Sequence, residues 1–339
     1  MRHCRLPDRA PSAPIGVRSG AGRGERGPIV RGARAQTFGA APHTCHTYAR
    51  WTFADRILVP DRPPPYAATT ALRRAREQGT WAIMGRLAGK IAFISGTGAG
   101  IGRAAALVFA AEGATVFGCD IDAESAAETV EMVEKAGGVM RSLAPVDLST
   151  EDGAREWIDA GIAAFGGIDI LYNNASALRN GPFETMPAED WYFTIKNELD
   201  IPYFCTRAAW PHLVARGGGA VLNVASVAAV RGAPFMPMVP HGAAKGGVLA
   251  MSKHLCAAGA PHRIRVNTIA PGMTRTSATA PFLDDPDGPR AQLEARIPVG
   301  RVGQPEDIAR AAAFLCSDEA AFVNGANLMV DGGDSAMAG

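Results

Sequence analysis

From about residue 85 onward, short apolar runs alternate with longer amphipathic stretches. Ile91 to Ile94 is an unbroken apolar run ending at Ser95, and Ala114 to Cys119 is a second, ending at Asp120. Val139 to Ala144, Ile168 to Tyr172, Ala220 to Ala225, Ile264 to Ile269 and Asn327 to Val330 follow in the same style. Apolar runs this short, bounded by polar or turn residues, predict strands buried on both faces. Between them, Ala104 to Ala111, Ala123 to Ala136, Glu151 to Phe165 and Ala188 to Arg216 carry the spacing of helices, the last with Pro202 and Pro211 inside it. Pro305 stands at the start of another helix, a position where its missing N–H costs nothing. Strands alternating with helices predict an α/β fold with a Rossmann-type doubly wound parallel sheet.

The pattern stops short of the first eighty-odd residues. Residues 1–83 are rich in Arg, Gly, Pro and Ala, with Pro63, Pro64 and Pro65 in a row. They hold fourteen arginines, no lysine and five acids, a net of +9, against −8 for the 20 bases and 28 acids of the rest. Such a segment cannot bury a core and is expected to be disordered, leaving 84–339 as the folded domain. An Arg-rich, acid-poor leader also suits a transit peptide, and a basic tail suits polyanions. A third reading, that translation starts at Met84, fits best, because Met84-Gly-Arg-Leu-Ala-Gly-Lys leads directly into the first strand.

The mildly acidic body does not suggest nucleic-acid binding. No apolar run has the length of a membrane span. Six cysteines are scattered without metal-like spacing, which suits a reduced cytosol and no metal site.

The chemistry begins where the first strand ends. Gly96, Gly98, Gly100 and Gly102 fall within seven residues, with Ile101 among them, between a strand and a helix. Glycines let the backbone turn tightly and let a diphosphate approach, and the helix start then offers free N–H groups to the anion. Asp120 ends the second strand eighteen residues after Gly102. It suits either the ribose acid of a dinucleotide fold or an N-cap for the next helix. A carboxylate there accepts from both ribose hydroxyls and repels a 2′-phosphate. The glycine turn has no Lys or Arg before Gly100, so NAD is the expected cofactor.

The spacing Gly96-x-x-x-Gly100-Ile101-Gly102 resembles that of the short-chain dehydrogenase/reductase family, and the resemblance covers about three-quarters of the chain. Later motifs follow in the family's order. Asn173-Asn174-Ala175-Ser176 is similar to the family's Asn-Asn-Ala-Gly, with Ser176 in place of the glycine. Asn223-Val224-Ala225-Ser226 is similar to its Asn-x-Ser-Ser, and Pro271-Gly272 leads to Thr276 as in relatives. The resemblance implies that Asp147 and Leu148 meet the adenine, although Asp147 serves equally well as a turn residue. It further implies that Asn174 and Ala175 line the cofactor groove, that Pro271, Gly272 and Thr276 cover the nicotinamide, and that Asn197 bends its helix and holds a water in a proton relay. Ser226 would hydrogen-bond the substrate oxygen. Two long central helices would build a homodimer or homotetramer. Ser277 to Ile297, with Phe282 and three prolines, has the character of a substrate lid.

One departure bears on mechanism. Where the family has Tyr-x-x-x-Lys, this chain has His241-Gly242-Ala243-Ala244-Lys245, and the last tyrosine of the chain is Tyr203, upstream. The interval from Ser226 is fifteen residues, longer than usual, with Pro234, Pro237 and Pro240 inside it. Positions i and i+4 share a helix face, so His241 and Lys245 are expected in one groove. Free histidine titrates near ~6.5, so a neutral imidazole can take an alcohol proton. The expectation is an NAD(H)-dependent oxidoreductase of secondary alcohols and ketones, with His241 as acid–base group, Ser226 polarising the oxygen and Lys245 on the ribose. The alternative is a catalytically silent scaffold or sensor that binds the dinucleotide.

Overall fold

In the computed structural model, which describes residues 57–58, 85–232 and 236–337, each apolar run becomes a strand and the sheet is doubly wound. The parallel strands are β1 (Ile91–Ser95), β2 (Thr115–Cys119), β3 (Val139–Leu143), β4 (Ile170–Asn173), β5 (Gly219–Val224), β6 (Ile264–Pro271) and β7 (Asn327–Val330). Their order across the sheet is β3-β2-β1-β4-β5-β6-β7. The direction of the order reverses between β1 and β4, and the crevice at such a switch point is where a doubly wound sheet binds its ligand.

The helices are α1 (Gly100–Ala111), α2 (Ala123–Lys135), α3 (Glu151–Phe165), α4 (Ala188–Ile195), α5 (Ile201–Arg216), α6 (Val239–Gly259), α7 (Ala280–Leu283), α8 (Arg290–Arg296) and α9 (Pro305–Cys316). Side-chain caps start two of them. Asp122 accepts from Glu124 and Ser125 N–H at the head of α2, and Thr150 accepts from Gly153 N–H at the head of α3. Helix α1 begins at Gly100 rather than at Ala104, because the glycines that lower helix propensity are the residues that let the chain turn from strand into helix. The long helix expected from Ala188 to Arg216 is divided by a turn of π-helix, Lys196–Asp200, between α4 and α5.

Successive residues of each strand feed opposite cores. On one face Ile94, Tyr172, Leu222 and Ile269 pack with Phe109 of α1 and Ile308 of α9. On the other Phe93, Leu171, Val221 and Val266 pack with Trp157 of α3 and Leu213 of α5. Phe93 lies against both Phe117 and Trp157, with ring centroids 5.3 and 5.8 Å away, and the indole N–H donates to the Gly118 carbonyl at 3.1 Å. A full apolar load on both faces is what an all-parallel sheet requires.

All but two of residues 1–84 lie outside the described residues, and with them the expected disorder of that segment. Ile57–Leu58 forms a short antiparallel ladder on the outer edge of β3, opposite Leu143 and Ser142.

Candidate active site

The carboxyl ends of the strands open on one cleft. It is bordered by the glycine turn, Asp120, the loops after β3 and β4, the π turn, Ser226, the first turns of α6 and the segment after β6. At one end of the cleft the turn fits a diphosphate. Gly96 has φ +71°, a conformation few side chains adopt. A Cβ on Gly102 would stand 1.9 Å from the Gly96 carbonyl oxygen, so helix and strand close on each other only without one. Ala99 provides no side-chain cap, and the first N–H groups of α1 are left for an anion.

Asp120 faces this turn. Its Oδ2 accepts from Gly98 N–H at 2.7 Å and its Oδ1 from Asp122 N–H at 3.0 Å. The cap of α2 is Asp122, so the reading of Asp120 as an N-cap does not hold. Asp147 and Leu148 border the same end of the cleft. Asp147 Oδ1 also takes the N–H and hydroxyl of Ser149, at 2.9 and 2.6 Å, which makes it a turn residue as well. Arg103, just past the last glycine, donates to the Gly98 carbonyl of the turn, to the Ser125 carbonyl at 3.2 Å and to Glu128 at 2.9 Å. Asn174 ties β4 to β1, its amide donating to the Ser95 carbonyl at 3.0 Å, while Asn173 and Asn223 bond across β4 and β5 at 2.7 Å. Ala175, Ile101, Pro271, Gly272 and Thr276 all border the cleft, and Thr276 lies against Gly100.

At the other end stand the residues expected to carry chemistry. His241 and Lys245 are both buried on one face of α6 and both border the cleft. Lys245 Nζ donates to the Val224 carbonyl at 3.1 Å. Burial pushes this lysine below its ordinary range, and the nearby Glu198 opposes the shift only in part. Ser226 Oγ accepts from Ala228 N–H at 3.1 Å, which leaves its own proton free to donate. Asn197 sits on the π turn, and its amide donates to the Phe193 carbonyl at 2.9 Å. Pro234 lies outside the described residues; Pro240 is in the first turn of α6.

One residue of the site was not singled out from the sequence. Glu198, whose side chain is fully buried, accepts from His241: Oε2 and the ring Nδ1 are 2.7 Å apart. Its Oε1 accepts from the Ser176 hydroxyl at 2.6 Å and is 3.9 Å from Lys245 Nζ. Burial pushes the carboxyl up, but the His241 hydrogen bond and the Lys245 charge, with Ser176, outweigh it and hold the group below the usual carboxylate range. The cleft has further unforeseen walls. Arg231 and Arg296 both pair with the nearly buried Asp334, and Met236 and Met238 stand before α6.

Comparison with known proteins agrees with this geometry. Residues 96–335 match the family described as enoyl-(acyl carrier protein) reductase. The chain is 35% identical to a 3-oxoacyl-(acyl-carrier-protein) reductase of Thermotoga maritima over 73% of its length and 98% of the relative's. It is 37% identical to a D-threitol dehydrogenase of Mycolicibacterium smegmatis, over 73% and 94%. Among solved structures it is similar to a 7α-hydroxysteroid dehydrogenase complexed with NADH and 7-oxo glycochenodeoxycholic acid, at 33% identity and a TM-score of 0.70, covering 73% of this chain and 95% of the other.

Proposed function

The chain belongs to the short-chain dehydrogenase/reductase family of oxidoreductases acting on alcohols and ketones, and we propose that it is an NAD(H)-dependent member in which His241 takes the place of the family's tyrosine. The observation that carries this is the convergence of His241, Lys245 and Ser226 on the end of the cleft opposite the glycine turn.

The cofactor preference is supported by charge. At the ribose end the charged cleft residues are Asp120 and Asp147, and the nearby Arg103 is held by the Gly98 carbonyl and Glu128. A ribose diol can donate to Asp120, whereas a 2′-phosphate would meet carboxylates and, among the described residues, no unpaired cation. Bound NAD supplies the hydride acceptor. In alcohol oxidation the imidazole of His241 takes the hydroxyl proton as the C–H bond gives up its hydride. Ser226 donates to the substrate oxygen, and Lys245 holds a positive charge beside it and orients the ribose. Asn197, fixed on the π turn, supports proton exchange with solvent. Ketone reduction runs the same proton the other way. Homodimer or homotetramer assembly goes with this reading.

The test is NAD-linked turnover over a panel of secondary alcohols. His241→Ala should remove most activity, about 10²–10⁴-fold for a positioned acid–base group, while leaving NAD affinity nearly unchanged. Unchanged turnover would refute the assignment. NAD binding with no turnover of any alcohol would favour the scaffold reading.

A further inference from the structure

Three positions at which the chain departs from its family or that the sequence left unremarked meet in space. Ser176 follows β4, Glu198 lies on the π turn and His241 lies in the first turn of α6. They form one hydrogen-bonded line, Ser176 Oγ to Glu198 Oε1 and Glu198 Oε2 to His241 Nδ1, at 2.6 and 2.7 Å. We propose that Glu198, clamped by Ser176, is the positioning residue of a Glu–His dyad that makes His241 a competent acid–base group. The proposal rests on the reading of His241 given above.

The partner of Nδ1 decides which ring nitrogen carries the proton. A carboxylate can only accept, so His241 must present Nδ1–H to it, and the neutral ring then leaves Nε2 as its bare acceptor. Nε2 has no hydrogen-bond partner among the described residues, and His241 borders the cleft. The lone pair that must receive the alcohol proton is therefore offered to the substrate side. A base oriented by a third group is the general logic of such sites.

Lys245 lies on the same helix face, and α6 starts two residues before His241. Both place positive potential beside the ring. Lys196 and Asp200 flank Glu198 on the π turn, and Glu189, Asp190 and Tyr192 lie on α4, which packs against α6. Among the described residues, only Glu198 reaches ion-pair distance of His241. It is thus the counter-charge that lets the ring accept a proton next to Lys245. A fully buried carboxylate is costly unless its oxygens are bonded. Here both are, and Ser176, where the family has a glycine, supplies one of the bonds.

The test is to compare the full-length chain with Glu198→Leu, Glu198→Gln, Glu198→Asp, Ser176→Ala and His241→Ala. Long-range ¹H–¹⁵N spectra of the imidazoles read the tautomer directly, the His241 signals being those lost in His241→Ala. The wild-type ring should carry its proton on Nδ1, and Glu198→Leu should move it to Nε2. In Glu198→Gln, whose amide oxygen can still accept, the tautomer should persist. The acid limb of the pH profile for alcohol oxidation should then move to lower pH and kcat should fall, with NAD affinity unchanged. Loss of kcat in Glu198→Leu should be about 10²–10⁴-fold, Glu198→Asp should recover part of it, and Ser176→Ala should lie between. If Glu198→Leu does not fold, the Gln and Ser176→Ala profiles decide. An Nε2–H tautomer in the wild type, or a Gln variant with unmoved profile and kcat, would overturn the dyad while leaving His241 as the base. Full turnover in His241→Ala with the Nδ1–H tautomer intact would overturn its catalytic role and leave a structural clamp.

Discussion

Asp120 performs two tasks that substitution can separate. Its Oδ2 takes the buried N–H of Gly98, and its Oδ1 takes the exposed N–H of Asp122. In Asp120→Ala water can replace the second bond but not the first, so one buried donor is orphaned at a cost of about 1–3 kcal/mol. For a domain of this size each kcal/mol shifts Tm by about 2–4 °C, giving a drop of about 2–12 °C without cofactor. Asp120→Asn keeps an acceptor oxygen for Gly98, and its Tm should stay close to the wild type. For the cofactor the two variants behave alike. Loss of charge-assisted bonds from the ribose diol, about 1.5–3 kcal/mol, should weaken NADH by about 10–150-fold. Removing the carboxylate's repulsion should at the same time strengthen NADPH. Titration of nicotinamide fluorescence with both cofactors, beside thermal melts, gives all four numbers. Tighter NADPH than NADH binding in the wild type would refute the role of Asp120 in selection, as would an unchanged ratio in Asp120→Asn. Equal Tm losses in the Ala and Asn variants would refute its role in holding the turn.

Three further outcomes are expected. In His241→Tyr the phenol would replace a ring that now faces the buried Glu198 carboxylate, so kcat should fall, by about tenfold for each unit that the neighbouring charge raises the phenol; steady-state turnover at or above wild type would show that the pocket still suits tyrosine. A chain starting at Met84 should keep its Tm and NAD affinity, because among the described residues the two main cores draw on Leu87 onward; a marked loss in a thermal melt would contradict this. Glu198 is held below the usual carboxylate range, and a group of that kind stabilises the fold above its unfolded value and loses the contribution as pH falls through its folded one. Stability should therefore decline on acidification below about pH 5, and Glu198→Gln should show a shallower decline over that window in melts run as a function of pH.

The glycine turn, Asp120 and the strand ends were legible because each depends on local sequence: apolar runs, turn residues and a fixed interval. The pairing of His241 with Lys245 was legible for the same reason, since i and i+4 always share a helix face. Boundaries were less so. Helix α1 starts inside the glycine turn, where propensity argues against helix and the strand-to-helix packing decides. Glu198 was hidden by the π turn. One added residue in the turn shifts which positions face inward, so a count at 3.6 residues per turn cannot assign the face of Glu198. Ser176 read only as a replacement for the family's glycine, and only the folding of β4 beside the π turn shows what its hydroxyl holds.

The line from Ser176 through Glu198 to His241 also constrains how this site can change. Its members come from separate segments, and each satisfies a neighbour that cannot be left alone in the interior. Their energies should not add: removing His241 or Ser176 while Glu198 remains leaves a buried carboxylate oxygen short of a hydrogen bond, whereas removing Glu198 with its partner does not. In sequence space this arrangement and one with tyrosine at position 241 thus stand on opposite sides of a valley. The first step across it from here is the loss of the glutamate's charge, before the imidazole is exchanged.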